Sequence, residues 1–94
     1  MRRAAVVTRS IDPAAVMDEV RSPEFGAVSM FVGTVRDTNE GRPVSSIDYS
    51  AYVPMAEAEL DRIIVETIEK FGIGAVVVEH RIGPLSLGDV SVAI

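Results

Sequence analysis

The stretch PMAEAELDRIIVETIEKF, residues 54–71, restricts the possible folds of this chain more than any other. Leu60, Ile63, Ile64, Thr67, Ile68 and Phe71 recur at i, i+3, i+4, i+7, i+8 and i+11, one continuous stripe along a helix. Glu57 and Glu59 lie towards the positive end of its dipole and Lys70 towards the negative end, and Gly72 supplies a C-terminal stop. A helix with a single apolar stripe must lay it on another element, and strand-like segments flank this one on both sides. Before it, VSSIDYSAYV alternates, with Ile47, Tyr49, Ala51 and Val53 inward and Ser46, Asp48, Ser50 and Tyr52 outward. After it, AVVVEHRIG reads as a buried strand. The remaining helix carboxylates, Asp61, Glu66 and Glu69 together with Glu57 and Glu59, read as a solvated face rather than an acid/base pair.

The rest of the chain fits around this helix. AAVVTR, residues 4–9, reads as a strand. IDPAAVMDEVR starts a short helix, with Asp12 as N-cap, Pro13 in the first turn, an Ile11–Val16 staple and Pro23 closing it. GAVSMFVGTVR is apolar on both faces as far as Thr34 and reads as a long central strand. DTNEGRP reads as a loop, PLSLGD as a turn, and VSVAI as a last strand that is interrupted rather than finished. One domain over residues 1–94 follows, in the order β-α-β-β-α-β-β, an α+β fold with a mixed or antiparallel sheet and two helices. The pattern favours both helices on one face. A ferredoxin-like sheet is one solution, and a sheet with an inserted strand subdomain is another. Val90–Ile94 is expected to form an exposed edge strand, open to pairing with a neighbour.

Charge and composition exclude several classes of function. A net charge of −5 argues against non-specific nucleic-acid binding. No apolar run reaches the roughly 18 residues that a membrane span needs. There is no cysteine, so neither a disulfide framework nor a thiolate site is available, and the single histidine, His80, builds no metal site alone. Neither a metal nor another cofactor is expected, and a cytoplasmic protein is the default.

The chemically informative stretch is FVGTVRDTNEG, residues 31–41, where an apolar strand delivers Arg36 at the mouth of a loop containing Gly and Asn. Gly33 permits close approach of a backbone or ligand. A guanidinium at a strand end offers bidentate donors to a phosphate or carboxylate and keeps its charge. The alternative is an ordinary ion pair with Asp37, Glu40 or another carboxylate of an acidic protein. His80 and Arg81 fall on opposite faces of a strand; His80 reads as a hydrogen-bonded structural residue, and Arg81 as a possible second cation for the Arg36 site. Tyr49 and Tyr52 read as core and rim aromatics, and Lys70, the only lysine, as part of a polar helix face.

Three blocks in order, FVGTVRDTNEG, YSAYVPMAEAEL and HRIGPLSLGD, resemble the large, catalytic subunit of molybdopterin synthase, the MoaE family, over Phe25 to Ile94. The resemblance implies an α+β fold with a hammerhead-type strand subdomain. It implies transfer of sulfur to cyclic pyranopterin monophosphate (precursor Z), delivered as a thiocarboxylate on a small ubiquitin-like carrier subunit. It also implies a homodimer of large subunits with a carrier at each end. Phe31, Thr34, Val35 and Arg36 match the substrate-binding segment, while His80 and Arg81 match a mainly structural block. The family's catalytic His-Arg pair and two lysines match nothing up to Ile94, and Ser50 stands where many relatives carry an acidic residue. On this basis residues 1–94 alone are expected to bind weakly and catalyse poorly. A non-catalytic dimeric anion-binding module, or an inactive relative that still docks the carrier, stays open beside the enzyme subunit.

Overall fold

A computed structural model describes all residues from Met1 to Ile94. The elements run β1 (Arg2–Val7), α1 (Pro13–Val20), β2 (Val32–Thr34), β3 (Thr38–Asn39), β4 (Arg42–Pro43), β5 (Ser46–Tyr49), α2 (Val53–Phe71), β6 (Val76–Arg81), β7 (Gly83–Ser86) and β8 (Val90–Ala93). The main sheet has four strands in the order β1-β6-β8-β2, with β3-β4 and β5-β7 as separate two-stranded ribbons. The fold class is as expected, α+β with a mixed sheet and two helices. Three short strands are added: DTNEGRP folds into the β3-β4 hairpin, and β7, of which residues 84–86 were expected in a turn, pairs with β5.

The topology corrects the expectation that both helices share a face. β1 and β6 are parallel, and β8 runs antiparallel to both β6 and β2, so β1, β6 and β2 all point the same way. The α1 crossover moves across the sheet from β1 to β2, and the α2 crossover returns to β6. Two right-handed crossovers in opposite directions put their helices on opposite faces. Side chains agree. The adjacent strand residues Arg2 and Arg3 point to opposite sides, Arg2 to Asp61 of α2 and Arg3 to Glu19 of α1.

Packing on the α1 face builds the core. Asp12 caps the helix by accepting from the Ala14 N–H at 3.0 Å, with Pro13 in the first turn. Ile11 and Val16 are both buried and join Val77 and Ala93 in one cluster, with Val7, Val20, Met30 and Val90 packed against it. Each fully buried Val or Ile side chain of this cluster contributes about 1.5–3 kcal/mol by leaving water.

On the other face α2 lies chiefly on β1, an edge strand, so its stripe is wider than the surface beneath it. Ile64 is buried, whereas Ile63 and Phe71 stay exposed. Gly72, at φ 65°, ends the helix in the left-handed conformation, donating its N–H to the Ile68 carbonyl. The carboxylates are not all solvated, as the sequence suggested. Glu57 accepts the Val6 N–H at 2.9 Å and Asp61 accepts from Arg2 Nε at 2.9 Å. These two share a helix face at i and i+4, Glu57 capping the free edge of β1 and Asp61 pairing with a side chain of the same strand.

Two strands differ from expectation in opposite senses. Residues 26–36 are not a long central strand, because β2 keeps only Val32–Thr34 and lies at the sheet edge with β8 as its sole partner. Before it, Phe31 and Ile94 exchange two backbone hydrogen bonds of 2.8 Å, and residues 27–30 form no strand. The last strand, expected at an edge, is instead central: β8 sits between β6 and β2, and its Ser91 and Ala93 are buried. Ala51 and Tyr52, placed in a strand by alternation, follow the end of β5, and Tyr52 is the N-cap of α2.

Candidate functional site

Gly33 sets the geometry of β2. A Cβ there would lie 2.7 Å from Val92 Cγ1, so only glycine lets β8 approach this closely. The register shifts between Gly33 and Thr34, a bulge that redirects the chain as it leaves the sheet. Val35 is buried, and both of its backbone groups are engaged: its N–H donates to the Asp89 carbonyl at 3.0 Å, and its carbonyl accepts from the Gly88 N–H at 2.8 Å. The turn that holds it is itself braced, since Asp89 accepts the Ser86 N–H through Oδ2, and Arg81 Nη1 stands 3.5 Å from the same oxygen. Arg81 Nε is buried without a hydrogen-bond partner.

Beyond this anchor the chain reaches solvent. Arg36 is exposed, and its Nη2 donates only to Asn39 Oδ1, at 3.5 Å, the long limit of a hydrogen bond. Glu40 and Gly41 both have positive φ, 51° and 78°, which matches a type I′ turn between β3 and β4. That turn sets Arg42 directly across from Asn39, so the residue holding Arg36 faces a second arginine. Phe31 and Thr34 are exposed on the approach to Arg36.

The distribution of charge gives this hairpin its character. Of the eight arginines, Arg2, Arg3, Arg9, Arg21, Arg62 and Arg81 each have a carboxylate within 4.0 Å. Arg36 and Arg42 have none, although fourteen acidic residues are present. The alternative, an ion pair with Asp37 or Glu40, does not form. Sequence reasoning singled out Arg36 and passed over Arg42, whose only signal was its place beside the Glu-Gly turn.

The other singled-out residues lie elsewhere. His80 donates from Nδ1 to the Arg81 carbonyl at 3.0 Å, and its ring meets Tyr49 edge-on, with centroids 5.5 Å apart. These contacts agree with its structural reading. Lys70 lies over the Phe71 ring at the end of α2. No group of three or more His, Cys, Asp or Glu side chains is arranged to hold a metal ion. No helix is long and apolar enough to cross a membrane.

The strongest electrostatic cluster was not legible in the sequence. Glu79, buried on the α1 face, accepts hydrogen bonds from Arg9 at 2.8 and 3.1 Å and from Arg3 at 2.6 Å. Those arginines, Arg9 foremost, hold its carboxyl below the usual range against the opposing effect of burial. Arg3 is held charged by Glu19 and then by Glu79. Both arginines are engaged by carboxylates, so the cluster ties β1 and β6 to α1 and keeps its charges to itself.

Known proteins point the same way. The profile of the MoaE protein family matches residues 6–94. The chain is similar to the molybdopterin synthase catalytic subunit of Emericella nidulans, 36% identical over 85 residues, which are 90% of this chain and 44% of that protein. It is also similar to the catalytic subunit of Coccidioides immitis, 37% identical over 84 residues, 89% of this chain and 43% of the relative. The chain thus spans a little under half the length of these curated relatives. Among solved structures, molybdopterin synthase from Staphylococcus aureus superposes with a TM-score of 0.88 at 34% identity, covering 95% of this chain and 65% of that one. Molybdopterin cofactor biosynthesis protein E from Burkholderia multivorans gives 0.79 at 31%, covering 99% and 61%. Fold, profile and identity agree along almost the whole sequence, and the chain belongs to the MoaE family.

Proposed function

We propose that residues 1–94 form the anion-gripping part of a molybdopterin synthase large subunit, which holds cyclic pyranopterin monophosphate while sulfur arrives as a thiocarboxylate on a small ubiquitin-like carrier. The observation that carries this reading is the unpaired state of Arg36 in an acidic protein. A guanidinium with no carboxylate partner keeps its bidentate face for a phosphate. Arg42, across the hairpin from Asn39, is the second cation of the grip. Phe31, 61% exposed, offers an aromatic ring for the pterin, and Thr34 a hydroxyl. Val35 acts by anchoring Arg36 rather than by touching the substrate. The active assembly is a dimer of large subunits with a carrier docked on each.

Grip and chemistry are separable in this chain. An arginine stabilises negative charge but cannot exchange a proton near neutral pH, and the only lysine lies at the far end of α2. Residues 1–94 therefore bind substrate and turn it over poorly by themselves.

Titration with cyclic pyranopterin monophosphate, followed by calorimetry, tests the grip. Replacing Arg36 by Ala should weaken binding about 10- to 100-fold, the loss of one charge-assisted bidentate contact of roughly 1.5–3 kcal/mol, and Arg36→Lys should recover part of it. Unchanged affinity in Arg36→Ala would refute the site. Near-normal conversion by this chain with thiocarboxylated carrier would refute the separation of grip from chemistry. Capture of the carrier, with and without its terminal glycines, distinguishes a docking subunit from a module that only senses an anion.

A further inference from the structure

Of the arginines that meet carboxylates, Arg81 is the one drawn furthest from solvent. Its side chain is 18% exposed, against 34% or more for Arg2, Arg3, Arg9, Arg21 and Arg62. Glu79, two residues before it on the same face of β6, is taken by Arg3 and Arg9, which leaves Asp89 as its counter-charge. Nη1 stands 3.5 Å from Asp89 Oδ2, and Nε is buried without a hydrogen-bond partner. In a covered pair this loose, desolvation offsets most of the attraction, and an apolar side chain of similar volume often serves stability as well. What the pair supplies is direction, because a planar guanidinium held by packing presents its charge along a fixed line.

Asp89 passes that direction on. It stands at the head of β8, which lies between β6 and β2, and so links the strand of Arg81 to the strand that leads to Arg36. Oδ2 accepts the Ser86 N–H at 2.9 Å, and the Asp89 N–H donates to the Ser86 carbonyl at 3.1 Å, closing a tight turn with Gly88 at φ 81°. Both backbone bonds of Val35 end on this turn, at the Asp89 carbonyl and the Gly88 N–H. Arg36 is the next residue, its Cα about 3.8 Å from that of Val35. Beyond it, Val44 donates to the Asp37 carbonyl at 2.7 Å and closes the base of the hairpin. The contact of the Arg36 guanidinium with Asn39, at 3.5 Å, is too long to aim it.

We infer that Arg81 is a positioning residue for the Arg36 grip: through Asp89 it fixes the turn that holds both backbone groups of Val35, and so sets where the Arg36 guanidinium meets a phosphate. The inference rests on the reading of Arg36 as the phosphate grip and adds the residue that aims it. A functional constellation needs placement to within about 0.5 Å, and a misplacement of about 1 Å can cost about 100-fold, so a brace behind the contact matters without touching the ligand.

Two measurements on the full chain test the brace and its consequence separately. Amide hydrogen exchange reads the brace without ligand: Arg81→Met should speed exchange at the Val35 N–H about tenfold and leave Val76, at the far end of β6, unchanged. Calorimetric titration with cyclic pyranopterin monophosphate reads the consequence: Arg81→Met should weaken binding about fivefold, and Arg81→Lys, which keeps a cation without the planar fork, should recover part of the loss. The same Arg81→Met replacement in an Arg36→Ala background should change affinity less than about twofold, since a residue that acts through another then has nothing to act on. Arg62→Met, which removes the same charge from the surface of α2, should also stay within about twofold, because salt screens a distant exposed charge. If Arg81→Met does not fold, Arg81→Lys decides, with smaller shifts in the same direction at Val35 and in affinity. Unchanged Val35 exchange would break the proposed linkage. Faster exchange with unchanged affinity would make Arg81 a structural residue only. An equal loss in the Arg36→Ala background would mean that Arg81 touches the phosphate itself, and an equal loss in Arg62→Met would assign the effect to net charge. Each of these overturns the positioning role while Arg36 keeps its own. Unchanged affinity in Arg36→Ala is the distinct failure of the phosphate reading, which removes the grip and with it anything for Arg81 to aim, whatever Val35 shows.

Discussion

Glu79 shows how one buried carboxylate can organise a small fold. Its two arginines come from β1 and the loop after it, so neutralising it leaves Arg9 without a carboxylate and Arg3 with Glu19 alone. We expect Glu79→Gln to lose about 2–3 kcal/mol in urea unfolding at pH 7, somewhat less than a fully buried pair because both arginines reach solvent. The pH dependence follows from the direction of the shift. The folded carboxyl titrates below its unfolded value, so its contribution is complete above the unfolded pKa of about 4.3 and fades as pH falls through the folded one. The stability difference between wild type and Glu79→Gln should therefore shrink as pH falls below that reference value, and a difference that stays constant on acidification would contradict the assignment. Gly33 makes the complementary point about space. In Gly33→Ala the new methyl meets Val92 Cγ1, and overpacking of this kind costs about 1–3 kcal/mol, read as a lower unfolding midpoint with an unchanged m-value.

Among the elements, α2 was the most legible and its environment the least. Its stripe, its glycine stop and its length all follow from local rules and are found at Val53–Phe71. Which strand it covers does not, because that is settled by the direction of the two crossovers. Glu57 is the consequence: spacing placed it on a solvated face, and the fold sets it against the free edge of β1. Glu57→Ala should leave the Val6 N–H without its acceptor, costing about 1 kcal/mol and speeding exchange at Val6 while Val77 stays as it was. Equal exchange at Val6 in both proteins would mean that water serves that edge as well as the carboxylate does. The same reasoning explains β2 and β8. An apolar run reads as central whether or not neighbours exist, so residues 26–36 looked central and proved to be an edge, while VSVAI looked like an edge and proved central. Of the candidate site, Arg36 was legible because a strand end and a turn are local features. Arg42 and the bracing of Val35 by Asp89 were not, since both depend on a register and a contact that no local spacing encodes.

For the molecule as a whole, the surface is too large for its mass. An accessible area of 6316 Å² exceeds the roughly 5300 Å² expected of a compact monomer of 10.1 kDa. The Cα radius of gyration, 14.5 Å, likewise exceeds the roughly 12.4 Å of a compact chain this long. Only ten of the 94 residues are buried, while Phe31, Tyr52, Met55 and Phe71 are each more than 60% exposed. About 1000 Å² of extra surface is near the 800 Å² that one partner contributes to a standard interface. The excess therefore matches the area that a stable contact removes, and the dimer of large subunits proposed above would remove it. Stability should then depend on concentration by mass action, because any species that binds the folded chain alone raises the midpoint. Thermal unfolding followed by circular dichroism should show a midpoint several degrees higher at 200 µM than at 5 µM, where a 40-fold concentration ratio is worth about 2 kcal/mol and a domain of this size shifts 4–8 °C per kcal/mol at most. Sedimentation over the same range should show the average mass rising towards a dimer. A midpoint independent of concentration, with a monomer throughout, would mean that the exposed surface is intrinsic to the folded chain, and the argument for a covering partner would fail at this scale even if Arg36 bound its phosphate.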